Sequence, residues 1–117
     1  MPPEAVSGSG AQAHWRSLET LYDSAPINRL FESRLELARA GESRIHFTVD
    51  RSAFHAAGAA HGTLYFKMLD DAAFYAANSL VAEARIIDLD GEECARGTGT
   101  FLRSHIALSG LDGYSAR

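Results

Sequence analysis

The chain has 117 residues, a net charge of −4 and a hydrophobic content of 46%, which suits one domain with a modest core. The acidic balance and the lack of any Lys/Arg run argue against nucleic acid or an anionic membrane as partner, and the single cysteine, Cys94, excludes an internal disulfide. No apolar run approaches the roughly 18 residues of a membrane span, and the opening MPPEAVSGSGAQA has neither the basic start nor the apolar stretch of a signal peptide, so a soluble, cytoplasmic protein is expected.

In chain order, residues 1–12 are Pro, Gly, Ser and Ala and read as a disordered lead-in. Residues 13–109 are expected to form the single domain, and 110–117 a loose tail. Trp15, Leu18 and Leu21 or Tyr22 recur at helical spacing, and that helix should stop before Pro26. Leu35 and Leu37, then Ile45, Phe47 and Val49, alternate with polar neighbours around Ala40-Gly41-Glu42. That predicts a hairpin of strands 35–39 and 44–50. A small-residue loop, HAAGAAHGT (55–63), leads into a helix from Thr63 to about Ser79 with no Gly or Pro inside it. Two alternating runs flanking Asp90-Gly91 predict a second hairpin, 83–88 with 93–103.

The long helix carries two adjacent acids, Asp70 and Asp71, which a helix separates by 100°. Asp71 shares a face with Lys67, four residues before it, and with Asn78; this reads as a surface ion pair worth about 0.2–0.5 kcal/mol. Asp70 shares its face with Thr63, Phe66, Ala73, Phe74 and Ala77. An acid on an apolar stripe should be buried, with its pKa raised unless donors surround it, and is a candidate functional group. The plainer reading is that it hydrogen-bonds a loop backbone. The helix is apolar on nearly every side, which predicts that it is enclosed by sheet. Gly62 stands where it begins, and a backbone N–H there has no partner within the helix. It can hold a developing oxyanion, with the helix dipole assisting, or glycine can simply serve the turn.

The segment GAAHGTLYFKMLDDAAFYAANS resembles the hotdog-fold thioesterases of the phenylacetate-pathway (PaaI-like) group, whose pattern is roughly H/N-x-x-G-x-x-H-G-G, six residues, then Asp. GEECARGTGTFLR is similar to the family's last strand, and the likeness runs from Leu35 to Arg103. The resemblance implies an α+β hotdog fold, an antiparallel sheet wrapped around a long central helix, preceded here by an N-terminal helix. It implies hydrolysis of a small or medium acyl- or aryl-CoA by a homodimer or homotetramer, with no metal or redox cofactor. Asp70 would be general base or nucleophile, the Gly62 N–H would polarise the thioester carbonyl, and His61 would shape the loop. His55, Thr63 and Phe74 would bind substrate. His55 stands where many members carry Asn, and Thr63 replaces the second glycine of the pattern, a liability only if position 63 needs unusual backbone angles.

One departure is large. The family places two strands between the helix and the last hairpin, whereas here Asn78-Ser79-Leu80-Val81 runs straight into Ala82. A segment of about 15–40 residues is missing by ordinary strand and loop lengths. Four strands would leave an apolar flank of the helix uncovered, which favours association. The alternative to an enzyme is therefore a non-catalytic acyl-CoA-binding or structural hotdog remnant. A hotdog dehydratase ranks lower, since no Pro-Gly loop adjoins a histidine.

Overall fold

The computed structural model describes residues 8–76, 81–100, 108 and 111–114, which form an α+β fold of three α-helices and two separate two-stranded antiparallel sheets. Residues 1–7 of the expected lead-in, 77–79 of the expected helix end, 101–103 of the expected last strand, and 110 and 115–117 of the tail lie outside the described residues.

Helix α1 (Gly8–Ser24) begins within the stretch 1–12 expected as a lead-in. Its apolar stripe brings Tyr22, 1% exposed, against Leu35 and Leu37, with Trp15, Leu18, Ile45 and Tyr75 packed around them. The helix stops as expected because Ala25 precedes a proline and is extended (φ −73°, ψ 126°). Pro26 then opens a short helix, α2 (Pro26–Leu30), that the periodicity did not reveal. A proline lacks only the N–H that a first helical residue would leave unused.

Strands β1 (Arg34–Glu36) and β2 (Arg44–His46) pair with Leu35 opposite Ile45. They are shorter than expected, and Gly41 turns the chain at φ 79°. Beyond β1, helix α1 takes over the pairing of the backbone: the Leu37 N–H donates to the Glu19 carboxylate at 2.7 Å and the Arg16 guanidinium donates to the Leu37 carbonyl. Arg16 and Glu19 are themselves 3.0 Å apart.

After a 3₁₀ turn at Arg51–Ala53, capped by the Asp50 carboxylate, comes helix α3 (Gly62–Ala76). It is followed by β3 (Val81–Ile87) and β4 (Glu93–Thr100), paired with Ala84 opposite Gly97 and bulged between Ile86 and Ile87. The expected Asp90-Gly91 turn is there: Gly91 has φ 82°, and Asp88 Oδ1 accepts the N–H groups of Asp90 and Glu92 at 2.9 Å. Both sheets lie on α3.

In the described part of the expected tail, Leu111 and Asp112 are exposed, and Gly113 and Tyr114 are half-buried. The Tyr114 hydroxyl and His14 Nδ1 are 2.9 Å apart, and Gly113 sits at φ +90° against Ser24, where a Cβ would collide. Gly113→Ala is expected to cost about 1–3 kcal/mol through left-handed strain and overpacking. A thermal melt reads this directly, and an unchanged midpoint would mean the tail contact contributes nothing.

Candidate active site on the central helix

The loop that carries the two histidines is held at its stem. The His55 N–H donates to the Ala59 carbonyl and the His61 N–H to the Ala53 carbonyl, each at 2.8 Å, while Phe54 bridges Ala60 and Gly58 takes φ 88°. Each histidine caps its own turn. His55 Nδ1 accepts the Ala57 N–H and His61 Nδ1 accepts the Thr63 N–H, both at 3.0 Å. An accepting Nδ1 fixes the neutral ring in the Nε2–H tautomer. His61 is thus the N-cap of α3, and both rings are exposed.

Gly62 is the first helical residue. Its N–H donates to nothing among the described residues, and a Cβ built on it would meet no atom within 4 Å. An unpaired donor at the positive end of a helix, with open space beside it, is able to donate to an anionic or carbonyl oxygen. Thr63 lies within the helix at ordinary backbone angles, since Glu32 is the one non-glycine residue of the described set at positive φ. Its N–H is spent on His61, so of these two donors only Gly62 is open.

Asp70 is exposed, and so are its neighbours Phe66 and Phe74, at 72% and 53%. This corrects two expectations: the stripe holding Asp70 is not buried in the single chain, and α3 is not enclosed. The sheets cover one side of the helix, where Leu64, Met68 and Ala73 are buried. The opposite side is an open apolar flank with a carboxylate in it, as four strands would leave.

Within one chain, Asp70 and Gly62 stand apart. Eight residues of helix advance about 12 Å along the axis, whereas both groups would have to approach one carbonyl to about 3 Å. Phe74 lies one turn beyond Asp70 and touches Tyr75 edge to face at 5.0 Å.

Asp71 and Lys67 overturn the surface-pair reading, for they lie inside. Lys67 Nζ donates to Asp71 Oδ2 at 2.6 Å, to Asn28 Oδ1 at 2.6 Å and to the Tyr22 hydroxyl at 3.3 Å, and the Lys67 and Asp71 side chains are only 10% and 20% exposed. The Tyr22 hydroxyl donates to Asp71 Oδ2 at 2.8 Å, so the 2.8 Å contact with Ser33 must have Ser33 as donor. Burial, and then the adjacent Asp71 carboxylate, push the Tyr22 phenol above its ordinary range, against the lowering effect of Ser33. Burial raises Tyr75 likewise. Spacing revealed only the Lys67–Asp71 part of this cluster. Tyr22, Asn28 and Ser33 come from elements whose meeting no local pattern announces.

A cavity of about 590 Å³ lies elsewhere, between β2 and β3, and none of His55, His61, Gly62, Thr63, Asp70 or Phe74 lines it. Among the described residues no group of three or more His, Cys, Asp or Glu side chains is placed to hold a metal, and no helix is long and apolar enough to cross a membrane. Compared with protein-family models, curated proteins and solved structures, the chain matches none.

Proposed function

We propose that the chain is a hotdog-type thioesterase that hydrolyses a small or medium acyl- or aryl-CoA as a homodimer or homotetramer in the cytoplasm, with no metal or redox cofactor. The observation that carries this reading is the unpaired Gly62 N–H at the start of the helix that also presents the exposed Asp70. The two cannot serve one carbonyl from the same chain, so the reading places them on opposite protomers. Two α3 helices meeting antiparallel about a two-fold axis, along the flank of Phe66, Asp70 and Phe74, bring each Asp70 towards the other chain's Gly62. The same contact covers the apolar flank.

In that arrangement the Gly62 N–H donates to the thioester oxygen as it gains charge. Asp70 removes a proton from a water whose oxygen attacks the carbonyl carbon; the carbon–sulfur bond then breaks, and the thiolate leaves as free thiol on taking up a proton. Alternatively Asp70 attacks the carbonyl carbon directly and expels the thiolate, which takes up a proton; water then cleaves the resulting mixed anhydride to the free acid and Asp70. His61 holds the loop through its cap, and Phe74 and the exposed His55 flank the acyl group.

The test is release of free thiol from short, medium and aromatic acyl-CoAs by the purified chain. Turnover of any member supports the enzyme. Binding without turnover would favour the second reading, a non-catalytic acyl-CoA-binding or structural protein, which the separation of Asp70 from Gly62 within one chain favours.

A further inference from the structure

The cleft between the two sheets is bounded by one strand of each, β2 and β3. Strand β2 pairs with β1 along one edge only, and β3 with β4 along one edge only; no pairing joins them. Residues 41–47 and 83–87 form facing walls of the cavity, and α3 forms its floor through Met68, Ala72 and Ala76, a row of the helix at four-residue spacing. Burial alternates along both walls: Ile45 is half-buried and Ala84 buried, while the neighbouring Arg44 and Arg85 are exposed. The near end is fixed by the Ser43 hydroxyl, which donates to the Ala72 carbonyl at 2.6 Å.

We propose that this cleft accepts an extended peptide segment of a partner protein, as a strand that pairs with β2 and β3 together and carries apolar residues towards α3 and acidic residues outward. Unpaired N–H and C=O groups line both walls, and a strand satisfies both rows at once where a small molecule leaves most of them bare. Size agrees: strand spacing, layer thickness and rise per residue give about 160 Å³ for each inserted residue, so about 590 Å³ holds roughly four. Charge chooses the outer face of the guest. Glu83 is engaged by Arg96 at 3.5 Å and His46 by Glu36 at 2.7 Å. Arg44 and Arg85, one on each wall, close no ion pair among the described residues and act only at a distance, on Glu36 and Glu93. Two guanidinium groups without an ion pair, one on each wall of the cleft, select carboxylates. The site is distinct from the Asp70 flank, so it stands or falls apart from the thioesterase reading.

The probe is a fluorescent hexapeptide alternating valine with glutamate, blocked at both ends, titrated against the full chain by anisotropy beside a valine–lysine peptide. The glutamate peptide is expected to bind at one per chain and about tenfold more tightly than the lysine peptide, through charge complementarity. That preference should invert in the Arg44→Glu/Arg85→Glu variant, whose side chains are exposed, and methylation of alternate backbone nitrogens should abolish binding. No saturable binding, equal binding of both peptides, or unimpaired binding of the methylated peptide overturns the proposal. So does an oligomer that the double variant converts to a monomer, because the cleft would then belong to a second copy of this chain.

Discussion

Asp70→Asn is expected to lower free-thiol release by about 10²- to 10⁴-fold, the usual contribution of a positioned general base, while leaving the melting temperature unchanged. Asp70 is exposed and makes no side-chain hydrogen bond or ion pair among the described residues, and exposed substitutions of that kind stay within about 0.5 kcal/mol. The partner variant is Gly62→Pro. Proline deletes the N–H yet is well tolerated at a first helical position, and the open space around Gly62 has room for its ring. In the proposed dimer each site draws Asp70 from one chain and Gly62 from the other. A mixed dimer of the two variants then holds one site with neither group and one with both. Equal amounts of the two inactive proteins, mixed under conditions that exchange subunits, should recover about a quarter of the wild-type rate if association is random and two-fold symmetric. Recovery cannot occur if both groups come from one chain. A mixture as inactive as its components, with exchange verified, would sink the shared-site arrangement. Full activity in Asp70→Asn alone would remove the enzyme reading.

Which parts of this architecture were legible follows from where the information is local. The start of α3 is written at His61-Gly62, and the second hairpin at Asp90-Gly91, because caps and turns impose their residue types within a few positions. Direction of burial on α3 was not legible. With apolar residues on nearly every side, periodicity has no preferred face to report, and the two charges Lys67 and Asp71 pointed the wrong way. A charged pair reads as surface by default. It can lie inside when Tyr22, Asn28 and Ser33 supply the missing hydrogen bonds, and all three are more than 30 residues from Asp71 along the chain. Asp70 was misplaced for the same reason: once Lys67 and Asp71 are inside, the stripe of Phe66, Asp70 and Phe74 must rotate outward.

That interior cluster should be the most sensitive point of the fold. Lys67→Met keeps the length of the side chain but leaves Asp71 with Tyr22 as its remaining partner among the described residues and strips Asn28 Oδ1 of its donor. Losing one member of a buried ion pair costs about 3–5 kcal/mol, and with side chains still 10% and 20% exposed the lower end of that range applies. For a chain of this size the midpoint should fall on the order of 10 °C. Replacing both charges, as Lys67→Met/Asp71→Leu, should cost less than the sum of the single changes, because no uncompensated charge then stays behind. Additive losses would mean that the two side chains stabilise the fold independently. The phenol supplies a second readout. Burial raises the Tyr22 pKa in the fold, so its contribution to stability is fully present below about 10, the ordinary value, and is lost progressively as pH rises above it, since the unfolded chain ionises first. Tyr22→Phe should flatten that alkaline fall, with Tyr75, whose pKa is also raised, accounting for what slope persists. An alkaline slope identical in Tyr22→Phe would place the titrating group outside the cluster.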